Sequence, residues 1–222
     1  MKREGITEAM AGMSLKQKAE YLWTYYKWVL AVAAGVIVLI CIVVSSFMNK
    51  SVTTLYSGIV INAELSEEGQ AYLSDGWFEH LGGVEKKEKV DISSTYYNDL
   101  SATQDPEADA AAAMRVTAMV AAKELDYIIM DEISYNYYKK AAIFSSPEEM
   151  LSQEQIDQFS DKIVYYTDEE DGATYPVAIN ITDTAFAQDC LKTNGNVYIA
   201  FCGNTGRTER NSEFFTYLLN WK

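Results

Sequence analysis

An uncharged stretch of 22 residues, from Trp28 to Asn49, constrains this chain more than any other feature. At about 1.5 Å of rise per residue, a helix of that length reaches about 33 Å, enough to cross a hydrocarbon core of about 30 Å. We therefore predict one transmembrane helix over residues 28–49, with the lipid bilayer as its partner. It separates a short cytoplasmic tail, residues 1–27, from a larger domain, residues 50–222.

A cleaved signal peptide and a buried core helix are the alternatives to a membrane anchor. The apolar region of a signal peptide runs for about 7–15 residues and ends at a small-x-small site. Here the apolar run from Val29 to Val44 is longer, and Val44-Ser45-Ser46 is a poor cleavage site. Lipidation at Cys41 requires a small residue directly before the cysteine, where Ile40 stands. We therefore expect an uncleaved anchor.

The distribution of basic residues predicts the orientation of the anchor, because Lys and Arg near a span resist translocation. Residues 1–27 carry five basic side chains, whereas Lys50 alone is basic in the twenty residues after the span. We expect a single-pass protein of the cell membrane, with the N-terminus in the cytoplasm and the C-terminal domain outside. An interfacial aromatic belt is predicted at the inner side, formed by Trp23, Tyr25, Tyr26 and Trp28.

The charge of the larger domain excludes one class of partner. Residues 51–222 contain 12 basic and 29 acidic side chains, a formal charge of −17 within a chain total of −14. Such a surface repels phosphate backbones, so we expect no nucleic-acid binding. About 170 residues suffice for one ordinary globular domain.

Cysteine and histidine give no metal-site pattern, since His80 is the only histidine, and we expect neither a metal nor a cofactor. Cys190 and Cys202 form either a disulfide or two buried thiols, and the sequence leaves both alternatives open. The acidic run Asp168 to Gly172 lacks the alternation of a calcium loop and predicts a solvated hairpin turn.

Strand and helix patterns alternate along the larger domain, which predicts one α/β domain of three-layer type with a mixed sheet. Capping signals mark several helix starts, and β-branched or aromatic runs mark the strands. Predicted strands cover residues 54–61, 89–97, 125–131, 163–166, 175–181 and 196–202. Predicted helices cover 67–81, 105–123, 132–142, 152–162, 183–190 and 211–221, and a further short helix starts at 146–149.

Several of these segments resemble a known protein family. The helix, short strand closing on Asp131 and aromatic-rich helix within residues 125–151, the strand 175–179 and the segment 198–219 are similar to one lobe of the extracytoplasmic solute-binding proteins of bacterial ABC importers. The tail from Lys16 to Trp28 with its single span also resembles single-pass membrane proteins of Gram-positive, clostridia-type bacteria. The solute-binding family has two lobes, and about 170 residues hold one. The resemblance thus implies a single lobe that does not close on a ligand.

The resemblance implies a non-catalytic, membrane-anchored extracytoplasmic domain that binds a small solute, a cell-envelope component or a protein. The sequence shows no nucleophile beside a base, no paired catalytic carboxylates and no P-loop, so we expect no enzyme. The alternative is an accessory or scaffold subunit of a membrane complex that makes only protein contacts. A tyrosine-lined cleft favours the first function, and a flat apolar face favours the second.

Polar residues that terminate predicted strands are the candidate ligand-binding residues, on the expectation that they share one edge of the sheet. The competing interpretation is structural: Asp131 caps the helix that follows it, and the tyrosines pack in the core. The candidates are Asp131, Glu132, Tyr135, Asn180 and Asn204.

Overall fold

The structure is a computed structural model that divides into two compact units, Met1–Ser51 and Val52–Lys222. The predicted helix cap at Asp105 and the end of the strand predicted to reach Tyr97 lie outside the described residues. The structure describes Gly12 and residues 14–49, 52–95 and 106–222.

The described part of the first unit contains a long helix, α1 (Leu15–Asn49), which runs without a break from the tail into the apolar stretch. A capping box begins this helix: the Gln17 amide donates to Ser14 Oγ over 3.4 Å, and the Ser14 amide donates to Gln17 Oε1 over 3.0 Å. The stretch Lys27–Ser45 has a mean hydropathy of 2.9 and is long and apolar enough to cross a membrane. Trp23 and Trp28 are exposed in this unit. The side chains of Tyr25 and Tyr26 lie outside the described part.

The second unit alternates strands and helices, as the sequence predicts. Its strands are β1 (Thr53–Ile61), β2 (Glu64–Leu65), β3 (Glu88–Thr95), β4 (Tyr127–Asp131), β5 (Ile163–Thr167), β6 (Thr174–Asn180), β7 (Leu191–Lys192) and β8 (Val197–Phe201). Its α-helices are α2 (Glu67–Ala71), α3 (Trp77–His80), α4 (Pro106–Ala121), α5 (Glu132–Tyr138), α6 (Pro147–Met150), α7 (Gln153–Gln158), α8 (Ala185–Cys190) and α9 (Glu209–Leu219).

A six-stranded mixed sheet with the order β3-β1-β4-β8-β6-β5 forms the centre of this unit. β1 runs parallel to β3 and β4, whereas β8 runs antiparallel to both of its neighbours and β5 runs antiparallel to β6. The short strands β2 and β7 pair separately in an antiparallel ribbon. The mixed α/β sheet confirms the predicted fold class at this level.

Helices cover both faces of the sheet, because successive strand residues point to opposite sides. On one face, Trp77 from α3 and Phe214 from α9 pack with Ile129 of β4. On the other face, Val116 from α4 and Tyr138 from α5 pack with Ile128 of β4. The unit is therefore a three-layer arrangement, and all the residues of its two cores come from within Val52–Lys222.

A π-helical turn, Tyr72–Gly76, joins α2 to α3 and was not predicted from the sequence. The Tyr217 hydroxyl of α9 donates to the Tyr72 carbonyl oxygen over 3.1 Å, and the Tyr72 hydroxyl donates to the Tyr217 carbonyl oxygen over 2.6 Å. A Cβ at Gly76 would lie 2.4 Å from the Tyr217 hydroxyl oxygen. Glycine at this position therefore lets α9 pack closely on the π turn.

Capping residues set most of the helix starts that the sequence predicts. Ser146 caps α6 with Pro147 in its first turn, and Ser152 caps α7 with a complete capping box. The start of α8 differs from the prediction, because Thr184, and not Asp183, accepts the capping hydrogen bond. The Asp183 carboxylate instead accepts a hydrogen bond from Lys162 Nζ over 2.7 Å.

The two cysteines of this unit are free and buried. Cys190 packs in the core that contains Trp77, and Cys202 packs in the core that contains Tyr138, so the sheet lies between them. Of the two alternatives that the sequence leaves open, the structure contains the thiols. Burial raises the pKa of Cys202 to about 12, which keeps it protonated and unreactive at neutral pH.

Candidate functional site

The carboxyl ends of β3, β1, β4 and β6 meet at one edge of the sheet, which we call the carboxyl edge. The chain leaves β1 for β3 on one side of it and then returns to β4 on the other side. Such a reversal of strand order marks the place where open α/β sheets commonly bind ligands, outside the carboxyl ends of the strands. The carboxyl edge is therefore the candidate site.

Asp131 ends β4 at this edge, is 8% exposed and has a structural partner. Its Oδ1 atom accepts a hydrogen bond from the Ser134 amide over 2.8 Å and so caps α5. The capping interpretation of Asp131 is therefore confirmed. The Asp131 carboxylate therefore fixes the point at which α5 begins.

Glu132 is an exposed carboxylate at the edge and begins α5. Its Oε2 atom accepts a weak hydrogen bond from Asn196 Nδ2, over 3.3 Å, just before β8. Its charge also helps to raise the pKa of Tyr198, behind the larger effect of burial. Glu132 thus places a solvent-facing negative charge between the carboxyl end of β4 and the amino end of β8.

Tyr135 lies one turn further along α5 and is buried, as the structural interpretation expects. Its ring stacks on that of Tyr198 with centroids 4.5 Å apart, and Lys139 Nζ lies 5.4 Å from its centroid. Burial, followed by the neighbouring Tyr198, raises the pKa of its hydroxyl. Within the described residues that hydroxyl has no hydrogen-bond partner.

Asn180 ends β6 at the same edge and pairs with Tyr198 of β8. Its Oδ1 atom accepts hydrogen bonds from the Thr182 amide, over 3.0 Å, and from Thr182 Oγ1, over 2.6 Å. The Val197 amide in turn donates to Thr182 Oγ1 over 2.9 Å. Asn180 therefore shapes the turn that leads to α8 and links it to the start of β8.

Asn204 does not lie with the other four candidates, so the expectation of a shared edge is wrong for this residue. It follows β8, which runs antiparallel to β4, and so it emerges at the opposite edge of the sheet. There its Nδ2 atom donates to the Val120 carbonyl oxygen over 2.7 Å, at the end of α4. Asn204 therefore links the loop after β8 to the end of α4, at the opposite end of the strands from Asp131.

Two cavities in the second unit lie away from the four remaining candidates. One, of about 350 Å³, is lined by residues that include Ser74, Phe78 and Lys86. The other, of about 240 Å³, is lined by residues that include Thr54, Met119 and Arg207. Neither of these two cavities is lined by Asp131, Glu132, Tyr135 or Asn180.

Sequence reasoning missed a buried group of polar residues at the opposite edge, which we call the Asp126 network (Ser57, Asp126, Thr205 and Arg207). Arg207 Nε lies 3.0 Å from both carboxylate oxygens of Asp126. Thr205 Oγ1 donates to Oδ1 over 2.5 Å, and the Ser57 amide donates to Oδ2 over 2.8 Å. The Asp126 side chain is 1% exposed and that of Arg207 is 21% exposed. The network ties the loop after β8 to β1 and β4.

Opposing effects act on the Asp126 carboxyl group. Burial raises its pKa, and the hydrogen bond from Thr205, the charge of Arg207 and the Ser57 amide each oppose that rise. The net pKa shift is upward, so part of the cost of burying the carboxylate remains. Two signals were visible in the sequence, a polar residue directly before β4 and an arginine in the turn 203–207, but 81 positions separate them.

The other polar motifs have structural partners. The acidic run forms the turn between β5 and β6, where Asp168 Oδ1 accepts from the Glu170 amide and Asp171 Oδ1 accepts from the Ala173 amide, each over 2.8 Å. His80 stacks on Trp77 at 4.9 Å, and its Nε2 atom lies 3.0 Å from Glu213 Oε1. The hairpin turn that the sequence predicts is confirmed, and His80 is a packing residue.

Comparison of the chain with protein-family models, with curated proteins and with solved structures gave no match. Support for a mixed α/β sheet therefore comes from the structure alone. The likeness to one lobe of a solute-binding protein stays a proposal, as do the ligand and the partner.

Proposed function

We propose that this chain is a single-pass membrane protein whose α/β domain lies outside the cytoplasm and binds a small solute, a cell-envelope component or a protein without catalysing a reaction. The apolar stretch Lys27–Ser45 supports the anchor. The five basic residues before the span support a cytoplasmic N-terminus. Because both cores belong to Val52–Lys222, that unit is suited to fold by itself when displayed on a membrane.

The observation that carries the binding function is the polar carboxyl edge at the reversal of strand order. The exposed Glu132 carboxylate lies there beside Asn196, and Asp131 and Asn180 are fixed nearby by their own turns. A rigid frame around a solvent-facing carboxylate favours a ligand that carries a positive or hydrogen-bond-donating group. The formal charge of −17 on residues 51–222 favours the same ligands through long-range attraction.

The domain is further proposed to derive from one lobe of a solute-binding protein. The alternation of strands and helices supports this origin, as do the segments that carry the resemblance. A single lobe offers an open edge in place of a closing cleft, so it buries less of a ligand. We therefore expect weak binding of a free solute, or tighter binding when a second protein covers the edge.

A thermal-shift screen of residues 51–222 against a library of amines, amino acids and cell-wall fragments tests the binding function. Ligand in excess over its dissociation constant raises the melting temperature, by the equivalent of about 2.7 kcal/mol at one hundred times Kd. Glu132→Gln should abolish the shift. Glu148→Gln, which changes an exposed glutamate in the first turn of α6, is the matched control and should keep it.

Absence of a shift with every compound, together with a stoichiometric protein that co-purifies from detergent extract, would contradict solute binding. A protease-protection experiment tests the orientation separately. Protease added to intact cells should digest the C-terminal domain, and digestion only after permeabilisation would overturn the proposed orientation.

The alternative function is an accessory or scaffold subunit that touches only protein. One observation favours it: two tyrosines of the β5–β6 hairpin are exposed, Tyr165 by 51% and Tyr175 by 47%. Exposed aromatic side chains are enriched where proteins meet. Cross-linking of the full chain in its membrane distinguishes the two, because an accessory subunit gives one dominant protein adduct and a solute receptor does not.

A further inference from the structure

β5 is an edge strand of the six-stranded sheet. It pairs with β6 on one side, and its other side has no partner strand within the parts of the chain that the structure describes. An unpaired edge presents a row of backbone donors and acceptors to any extended chain. The five residues of β5 contain neither a charged residue nor a proline, whereas β3, at the other edge, carries Glu88, Lys89 and Asp91. The lateral strand β5 is therefore less protected against pairing with another strand than the lateral strand β3.

The side chains of β5 make its edge partly apolar. Val164 and Tyr166 pack against the core on one face, Ile163 packs against the core on the other, and Tyr165 is exposed. The pairing with β6 shifts register between Val164 and Tyr165. Such an irregularity bends an edge strand and limits the length over which another strand can pair with it. The edge thus suits a short segment of a few residues.

Acidic residues flank β5 at both ends. The segment 157–171 contains six acidic residues and one basic residue, Lys162. Lys162 Nζ lies 2.7 Å from Asp183 Oδ2, so its charge is already paired. In the turn beyond β5, Glu169 and Glu170 are exposed. An extended segment laid along β5 therefore meets negative charge at each of its ends.

This charge pattern selects between two occupants of the edge. If a second copy of this chain paired antiparallel through β5, the acidic turn 168–171 of each copy would approach Asp161 of the other. Like charges brought face to face across strands are destabilising. A partner segment with basic residues at its ends is instead attracted to Asp161 and to the acidic turn 168–171.

We propose that the free edge of β5 binds an extended segment of a protein partner, with Lys or Arg at its ends and β-branched or aromatic residues between them, as an additional strand of the sheet. Backbone hydrogen bonds supply the affinity in this mode of recognition, and alternate side chains supply the specificity. Tyr165 offers an aromatic surface to the side chains of the added strand. β5 begins beside Asn180, at the same end of the sheet as the carboxyl edge, but its free side runs along the lateral boundary of the sheet, with β8 and β6 between it and β4. The proposal does not depend on the binding proposed at Glu132.

Selection from a displayed library of random nine-residue peptides, with the full chain in detergent micelles as the target, tests this site. The enriched peptides should carry basic residues at their ends, β-branched or aromatic residues at alternate central positions, and no central proline, since proline removes a backbone donor. A synthetic peptide of the enriched sequence should slow hydrogen exchange of the β5 amides. Its affinity should fall steeply as the salt concentration rises.

Two substitutions make the test specific to the edge. Tyr165→Lys adds an edge charge and should weaken peptide binding at least tenfold. Tyr175→Lys makes the same change at an exposed tyrosine of β6, away from the edge, and should change binding less than threefold. Failure to enrich any peptide, enrichment of acidic peptides, equal effects of the two variants, or exchange protection confined to amides outside β5 would overturn the proposal.

Discussion

The two ends of the central sheet differ in how their polar side chains are held. At the carboxyl edge, Asp131 bonds to Ser134 and Asn180 bonds to Thr182, two or three positions away, and the one long-range bond described there, from Asn196 to the exposed Glu132, is weak at 3.3 Å. In the Asp126 network at the other end, Ser57, Thr205 and Arg207 bond to a carboxylate that lies 69 to 81 positions away along the chain.

The end of the sheet that holds the Asp126 network therefore stabilises the fold, whereas the carboxyl edge is free to carry a function. A local bond forms within one turn and constrains only that turn. A long-range buried network requires β1, β4 and the loop after β8 to be in place together, and each of its groups is costly if left unpaired. We therefore expect substitutions in the Asp126 network to change stability more than substitutions at the carboxyl edge, where replacing the exposed Glu132 should change binding.

The largest effect is expected from Arg207→Met. It removes the cation 3.0 Å from both oxygens of Asp126 and leaves a carboxylate that is 1% exposed without its charged partner. Loss of one member of a buried pair costs about 3–5 kcal/mol. Chemical denaturation of residues 51–222 at pH 7 measures this cost. A loss below about 1 kcal/mol would contradict the structural role of the network.

The same variant has a pH dependence of defined sign. Burial already raises the pKa of Asp126, and removal of Arg207 removes an effect that lowers it. A carboxyl group whose folded pKa is raised is protonated in the folded state first, so its burial costs less as pH falls through that pKa. The stability difference between wild type and Arg207→Met should therefore shrink as pH falls from 7 towards the ordinary carboxyl value of 3.8. The double variant Asp126→Asn with Arg207→Met has no carboxyl group to titrate at position 126, so it serves as the control and should show little of this dependence.

Gly58→Ala should have the next largest effect. A Cβ at this position of β1 would lie 2.1 Å from Tyr127 Cζ, and the Tyr127 ring cannot easily retreat because it lies 4.3 Å from the Phe214 ring and 5.5 Å from the Tyr56 ring. Overpacking of this kind typically costs about 1–3 kcal/mol. In a double-mutant cycle with Tyr127→Leu, the stability losses of the two single variants should add up to more than the stability loss of the double variant. Additive losses would mean that the contact is not the cause.

A smaller effect is expected from Asp131→Ala at the carboxyl edge. The substitution removes the acceptor for the Ser134 amide and so the cap of α5, which costs about 1 kcal/mol. Asp131→Asn keeps an oxygen that can accept this bond and should retain most of the stability. Thermal unfolding of the two variants measures the difference, and equal losses would argue against a capping role.

The smallest effect is expected from Tyr135→Phe. The hydroxyl is buried and has no hydrogen-bond partner among the described residues, so its removal gives up no hydrogen bond and relieves a desolvation cost. The stacking on Tyr198 at 4.5 Å is retained. Stability should stay the same or rise by up to about 1 kcal/mol in chemical denaturation. A clear loss would show that the hydroxyl has a partner in solution.

Local patterns predicted the elements of the fold well, because capping and alternation are properties of neighbouring residues. Ser146 and Ser152 start the helices that their spacing predicts, and the strands of the central sheet fall on the predicted apolar runs. The start of α8 was misassigned by one residue, since both Asp183 and Thr184 are good caps. The π turn at Tyr72–Gly76 was missed because it depends on Tyr217, in another helix.

The site was harder to predict, because it depends on strand direction and on distant partners. Asn204 was grouped with Asp131 on the assumption that both follow strands of the same direction, but β8 is antiparallel to β4. Asp126 and Arg207 were not linked, since no local pattern connects a residue before one strand to the turn after another. The capping role of Asp131 was the exception, because its partner lies within the same turn.

One measurement tests the separation of the two ends directly: the melting temperature of residues 51–222, with and without the strongest solute of the library, in wild type, Glu132→Gln and Arg207→Met. Glu132→Gln should keep the wild-type melting temperature and lose the solute shift. Arg207→Met should melt about 6–20 °C lower and keep the shift. A solute shift that survives Glu132→Gln and disappears in folded Arg207→Met would place binding at the Asp126 network and contradict this account.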